Sequence, residues 1–95
     1  MIEITRCSDG ISIKGHAGYA EPGKDIVCAG VSTLAYTLIE SVEKLTEDKI
    51  DFKEWPGMME IKFWSLSDKS KVLVDSFFIG LMLIAGTYPA HVKIM

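Results

Sequence analysis

Apolar and polar side chains alternate in two short segments at the start of the chain. Residues 2–6 alternate, and after Ser8-Asp9-Gly10 the alternation resumes over residues 11–14. A period of two is typical of a strand that has one buried face. The two segments therefore predict a β-hairpin. Residues 15–24 follow no period and contain three glycines and a proline, so they predict a mobile loop.

A period of three to four residues begins after Asp25. Asp25 is a residue type preferred at helix N-caps, and the chain after it carries one apolar stripe. The pattern predicts an amphipathic helix from Ile26 to Leu45. The apolar positions of its stripe are Val27, Val31, Leu34, Ala35, Leu38, Val42 and Leu45.

The second half of the chain repeats this order. Alternation over residues 50–53 and 59–64 flanks Pro56-Gly57, a pair that suits a type II turn, so a second hairpin is predicted. Ser67 or Asp68 can cap a second helix from about Lys69 to Gly86. The later half of that helix is apolar on almost all sides, and we expect it to be covered on most of them.

Val92 and Ile94 predict a last short strand. The element order is then ββαββαβ in a single domain over residues 1–95. This order indicates an α+β two-layer sandwich, in which a mostly antiparallel sheet carries two helices on one face.

Composition bears on partners and location. A chain of 95 residues buries only about 60–65% of the surface that its unfolded form exposes, yet 48% of this chain is apolar, which indicates a dimer. The net charge of −3 gives no electrostatic reason to bind nucleic acid. The apolar run at 77–85 is about half as long as a membrane-spanning helix. Because residues 1–4 lack signal-peptide features, we expect a cytosolic protein that does not enter a membrane.

Candidate chemistry centres on Cys28. With Asp25 as N-cap, Cys28 lies in the first helical turn, where unpaired N–H groups and the helix dipole favour a thiolate. Ser32, one turn further on, could donate a hydrogen bond to the sulfur. His16 stands where the second strand ends, and the loop after it can return the chain to the helix start. A cysteine and a histidine brought together in this way are the minimal unit of thiol nucleophilic catalysis.

Other interpretations of the cysteines and histidines stay open at this point. Cys28 could be a small buried hydrophobe, and His16 could serve only to satisfy backbone groups. Cys7 fits an inert thiol, and His91 is a rival partner for Cys28. A Cys7–Cys28 disulfide is conceivable, but in the cytosol we expect two reduced thiols.

The potential zinc ligands of the chain are the same four side chains, Cys7, His16, Cys28 and His91. None of them forms a closely spaced pair, so no metal site is predicted. The glycines before Lys24 have the wrong spacing for a phosphate loop, and Asp25 stands where that motif has Ser or Thr. We therefore expect no nucleotide.

One segment resembles the signature of a known family. Gly15-His16, the glycine-bearing loop and Asp25-Ile26-Val27-Cys28-Ala29 with Ser32 fill every position of the pattern G-H, loop, D-I-V-C-A-x-x-S. This pattern is similar to that of Prp, the ribosomal-processing cysteine proteases. Gly80 and Tyr88-Pro89 also resemble the family's C-terminal pattern. Gly30 departs from it, because many members have Ala there.

The resemblance implies a mechanism. Cys28 would attack a peptide carbonyl, and His16 would take and later return a proton. The N–H groups of Cys28 and Ala29 are candidate oxyanion donors. Ser32 would steady the thiolate.

The resemblance also gives expected roles to residues around this pair. Asp25 would either cap the helix or orient His16. Gly15 would let the backbone approach closely, and the loop that holds Gly18, Tyr19 and Gly23 would order over a bound peptide.

The family further implies a homodimer without cofactor whose substrate is a ribosomal protein precursor. That precursor is the twenty-seventh protein of the bacterial large subunit, which loses its N-terminal extension. Two alternatives remain: a prophage-borne relative that cleaves a phage precursor, and a catalytically silent dimeric module that only binds protein.

Overall fold

A computed structural model describes residues 1–95 as two layers, a five-stranded sheet and two helices. The predicted order ββαββαβ is confirmed. Its elements are β1 (Ile2–Cys7), β2 (Gly10–Lys14), α1 (Ile26–Leu45), β3 (Ile50–Trp55), β4 (Met58–Phe63), α2 (Asp68–Thr87) and β5 (Val92–Ile94).

The strands lie in the order β3-β4-β2-β1-β5. Three neighbouring pairs are antiparallel, and β5 pairs with β1 in parallel, so the sheet is mostly antiparallel as predicted. Trp55 pairs with Met58 across the second hairpin. Gly57 between them has a φ of 75°, the positive value that the third residue of a type II turn needs.

The two faces of the sheet differ because successive side chains point to opposite sides. One face carries the sheet's part of the core, namely Ile2, Ile4, Ile11, Ile13, Met59, Ile61, Phe63 and Val92. The other face is polar, and opposite charges meet there across the strands at Glu3 and Lys14, Asp51 and Lys62, and Lys53 and Glu60. The helices therefore cover one face only, because burying the charged face would be costly.

Helix α1 has the predicted bounds, and α2 extends one residue further than predicted at each end. The helices pack in antiparallel directions. A Cβ atom on Gly80 would lie 2.9 Å from both terminal methyls of Leu34, and one on Gly30 would lie 3.2 Å from the Cδ1 of Ile84. The missing side chains let the helices approach closely, which gives Gly30 a packing role despite its low helix propensity.

Helix α2 is covered less than its sequence predicts. Its buried stripe is Ser70, Val74, Phe77, Phe78 and Leu81. On its outer side Val72, Ile79, Met82 and Leu83 are 55–69% exposed. Both helices are long and apolar enough to cross a membrane by length and composition, although each packs part of its surface inside the fold. A single chain therefore leaves one apolar face of α2 uncovered.

Candidate active site

The start of α1 is organised by Asp25. Its Oδ1 atom accepts hydrogen bonds from the N–H groups of Val27 and Cys28, each at 3.0 Å. The N–H of Cys28 is the main cause that lowers the pKa of Asp25 below its ordinary value. Desolvation opposes this shift, and the N–H groups of Ala20, Tyr19 and Val27 add to it. Because Asp25 is the N-cap, Cys28 lies in the first turn of the helix.

The second carboxylate oxygen of Asp25 binds the preceding loop. Oδ2 accepts from the N–H of Tyr19 at 2.9 Å and from that of Ala20 at 3.2 Å. Asp25 therefore holds two backbone groups of the helix and two of the loop, and its carboxylate makes no hydrogen bond to His16. The sequence left two roles open for Asp25, and this geometry is that of a helix cap.

Cys28 is partly buried and packs against the edge of the core. Its Sγ atom accepts a hydrogen bond from the N–H of Ala17 at 3.3 Å. The N–H groups of Cys28 and Ala29, the candidate oxyanion donors, both have hydrogen-bond partners in Asp25. The first donates to the Asp25 carboxylate, and the second donates to the Asp25 carbonyl at 3.0 Å. The backbone donor that reaches the sulfur therefore comes from the loop.

His16 is placed by two glycines. The N–H of Gly15 donates to the carbonyl of Gly57 at 2.7 Å. A Cβ atom on Gly57 would lie 2.9 Å from Nε2 of His16, so the imidazole occupies the space beside that glycine. Gly15 has a φ of 97°, and a Cβ atom there would lie 2.3 Å from the carbonyl oxygen of Met1. Side chains are therefore excluded from both positions.

Cys28 and His16 line the same cavity, of about 210 Å³. Ser32, which is exposed, lies on the same wall one turn after Cys28. Typical ligand pockets measure about 300–1,000 Å³, so this space suits one side chain of a peptide better than a cofactor. A thiol and an imidazole that face one cavity can act as nucleophile and general acid/base. In free enzymes the hydrogen bonds of such pairs are often long, and they tighten when substrate binds.

The cavity is also lined by residues that the sequence did not single out. Tyr36 lies two turns after Cys28 and donates its hydroxyl hydrogen to the Glu54 carboxylate. This hydrogen bond is the main cause that raises the pKa of Tyr36. Trp55 and Met58, on either side of the second hairpin turn, line the cavity as well. The strand alternation around Pro56-Gly57 predicted a hairpin but carried no sign that its turn would face His16.

The first half of the loop is tied to the C-terminal part of the chain. The carbonyl of Ala17 lies 2.8 Å from Nδ1 of His91. The ring of Tyr19 packs edge-on against Tyr88 and His91, with centroids 5.2 and 5.4 Å away. Gly18 and Gly23 both have positive φ. The outer part of the loop carries an exposed ion pair of Lys24 and Glu21 at 2.9 Å. The mobility of this loop stays a prediction.

The remaining candidates lie outside the cavity. His91 binds the Ala17 carbonyl and does not line the cavity of Cys28. Cys7 is an exposed free thiol at the end of β1, and Cys28 is also unpaired, so the chain contains no disulfide. No three side chains of the His, Cys, Asp and Glu types are grouped so that they could hold a metal ion.

Known proteins resemble this chain over nearly its whole length. The profile of one family, described as Cysteine protease Prp, matches residues 1–93. The ribosomal processing cysteine protease Prp of Mycoplasma genitalium is 35% identical over 96 residues, covering 99% of this chain and 94% of that protein. The protein of the same name in Bacillus subtilis is 29% identical over 87 residues, covering 84% of this chain and 78% of that protein.

A crystal structure of the ribosomal processing protease Prp from Staphylococcus aureus, with a covalently linked product peptide, has the same fold. The TM-score is 0.88 at 23% identity, over 98% of this chain and 94% of that one.

Proposed function

This chain belongs to the Prp family of ribosomal processing cysteine proteases, and we propose that it removes the N-terminal extension of the twenty-seventh protein of the large ribosomal subunit. We assign Cys28 as the nucleophile and His16 as the general acid/base. The observation that carries this assignment is the position of Cys28. It lies in the first turn of α1, accepts the Ala17 N–H and faces one cavity with His16.

The proposed reaction proceeds in two steps. His16 takes the proton of the Cys28 thiol, and the sulfur attacks the carbonyl carbon of the scissile peptide bond. As the carbon–nitrogen bond breaks, His16 gives the proton to the leaving amine, and the cleaved extension stays attached as a thioester. Water, deprotonated by His16, then attacks the thioester and regenerates the thiol. This cycle needs no cofactor.

The surrounding residues have supporting roles in this proposal. Asp25 caps α1 and holds the loop, and Gly15 admits the close backbone contact beside His16. Ser32 lines the same cavity as Cys28, one helical turn further on. The loop segment with Gly18, Tyr19 and Gly23 closes over the bound peptide. The Staphylococcus aureus relative holds a covalently linked product peptide, and the corresponding complex here would form at Cys28.

We also propose that the protein works as a homodimer in the cytoplasm, where ribosomal precursors are assembled. The exposed apolar face of α2, formed by Val72, Ile79, Met82 and Leu83, supports self-association. A second copy would bury this face and supply the cover that one chain lacks. The net charge of −3 supports a protein partner over a direct nucleic-acid partner.

The direct test is mass spectrometry of the precursor before and after incubation with the pure protein. We expect one cleavage that releases the N-terminal extension. Cys28→Ala abolishes this cleavage, and His16→Ala lowers kcat/KM by about 10²–10⁴-fold, the usual contribution of a general acid/base. Cys7→Ala is the matched control, since it removes the other free thiol, and it leaves the rate unchanged.

Two results would contradict the proposal in different ways. Undiminished cleavage by Cys28→Ala would remove Cys28 from the chemistry. An intact ribosomal precursor alongside Cys28-dependent cleavage of a phage structural precursor would keep the chemistry but replace the substrate.

A further inference from the structure

We propose that His91 is a positioning residue for the Cys28–His16 pair and acts through the backbone of Ala17. His91 lies outside the cavity that holds the reacting groups, 74 residues further along the chain than Ala17. Its ring nevertheless reaches the loop residue whose N–H contacts the sulfur.

The contacts form a continuous chain. Nδ1 of His91 lies 2.8 Å from the carbonyl oxygen of Ala17, and the N–H of Ala17 lies 3.3 Å from Sγ of Cys28. Because a carbonyl oxygen only accepts hydrogen bonds, Nδ1 of His91 carries the proton. Ala17 itself is 2% exposed, so its side chain is also held in place. One residue thus connects His91 to the nucleophile.

The loop needs such a tether because glycines surround this segment. Gly15 has a φ of 97° and Gly18 a φ of 66°, and glycine loses more conformational freedom on ordering than any other residue. Between them, His16 supplies the imidazole and Ala17 the N–H that reaches the sulfur. A donor that fixes the Ala17 carbonyl therefore restricts both groups at once.

His91 is itself held rigidly enough to serve this purpose. Its N–H donates to the carbonyl of Tyr88 at 2.9 Å, and its carbonyl accepts from the N–H of Ile2 at 2.9 Å. The ring of Tyr19 packs against it from the loop side. The backbone of His91 is therefore hydrogen-bonded to the start of β1, and its imidazole restrains the loop through the Ala17 carbonyl.

Two variants separate the hydrogen bond of His91 from its ring contact. His91→Asn keeps a donor near the position of Nδ1 and loses the ring, whereas His91→Phe keeps an aromatic ring against Tyr19 and loses the donor. Both are made in the Cys7→Ala background, so that iodoacetamide reports on Cys28 alone. Lys93→Ala, an exposed change two residues further on, is the control.

At pH 6 we expect His91→Phe to be alkylated about three- to tenfold more slowly than the parent, the effect of one ordinary hydrogen bond. We expect His91→Asn to stay within about twofold of the parent, because the donor is retained. In cleavage of the ribosomal precursor, His91→Phe lowers kcat about tenfold with little change in KM, because misplacement of the reacting groups slows the chemical step.

Parent-like alkylation of His91→Phe, even with a lower melting temperature, would show a structural role alone and overturn the proposal. An equal loss in both variants would assign the effect to the ring contact and would likewise overturn it.

A measurement on the unmodified protein covers the case in which a variant does not fold. Ring nitrogen chemical shifts at pH 8 should show His91 as the Nδ1–H tautomer, and a dominant Nε2–H form would contradict the proposed donor. The cleavage experiment rests on the proposed function, whereas alkylation and tautomer measurements need no peptide. A wrong substrate would therefore leave these two results intact.

Discussion

At the scale of single residues, the imidazole of His16 occupies the space in which residue 57 would carry a side chain. Gly57→Ala places a methyl group 2.9 Å from Nε2 at a backbone φ of 75°. We expect kcat/KM for precursor cleavage to fall about a hundredfold, because a displacement of about 1 Å in a catalytic group has an effect of this size.

The control for this substitution is Gly86→Ala, since an added Cβ atom there meets nothing within 4 Å. Circular dichroism melting curves of both variants distinguish a displaced imidazole from a loss of folded protein. Full activity in Gly57→Ala would show that His16 does not depend on this contact.

Asp25 makes stability depend on pH at the start of α1. Its pKa is lowered in the folded chain, chiefly by the N–H of Cys28. The ionised carboxylate therefore stabilises the fold above its unfolded pKa of about 4, and this contribution is lost as the pH falls through the lower folded value.

This contribution can be measured from the urea denaturation midpoints of the wild-type protein and of Asp25→Asn between pH 7 and pH 2.5. We expect the wild-type protein to be the more stable at pH 7 and the difference to shrink as the pH falls below 4. A difference that stays constant over this range would show that the charge of Asp25 is not responsible.

At the scale of elements, the site lies where three of them begin or end. Lys14 at the end of β2 pairs with Met58 at the start of β4. This register brings Gly15 beside Gly57, and the cap of α1 returns the chain to the same place. The sheet therefore positions His16, while the helix start positions Cys28.

The sheet itself depends on the difference between its faces. Ile61 and Lys62 are neighbours in β4, but Ile61 is 1% exposed and Lys62 is exposed on the polar face. We expect Ile61→Ala to lower the free energy of unfolding by about 2–5 kcal/mol, because it removes buried methyl groups and leaves a cavity.

Lys62→Ala should change the free energy of unfolding by no more than about 0.5 kcal/mol, as for most surface positions. Urea denaturation of both variants measures these effects. Similar losses in the two variants would mean that the polar face is also covered.

At the scale of the whole molecule, the exposed apolar face of α2 is the surface through which we propose that two copies pair. Leu83 is 69% exposed in a single chain and lies on that face. We expect Leu83→Lys to weaken the proposed dimer at least about tenfold, because a charge in an apolar interface must be desolvated.

Trp64→Lys is the matched control, since Trp64 is also an exposed apolar residue at 65% but lies outside α2. Light scattering after size-exclusion chromatography should give a monomer for Leu83→Lys and a dimer for Trp64→Lys. A dimer in both would place the interface elsewhere.

The sequence by itself determined the elements and the position of Cys28, the proposed nucleophile, on its helix. Helix α1 runs from Ile26 to Leu45 as predicted, because the Asp25 cap and the apolar period act within a few residues of the chain. The Pro56-Gly57 turn and the alternating faces of the strands also depend only on residues that are close together in the sequence. The placement of Cys28 in a first helical turn therefore follows from local sequence alone.

Only the tertiary structure decided what surrounds that turn. The contact of Gly57 with His16 and the hydrogen bond of His91 to Ala17 join segments that sheet register and chain crossing bring together. Periodicity describes which side of an element is buried, but it contains no information about which distant residue lies opposite. The N–H that reaches the sulfur comes from Ala17, and the sequence did not identify it, because only the folded loop brings that group to the start of the helix.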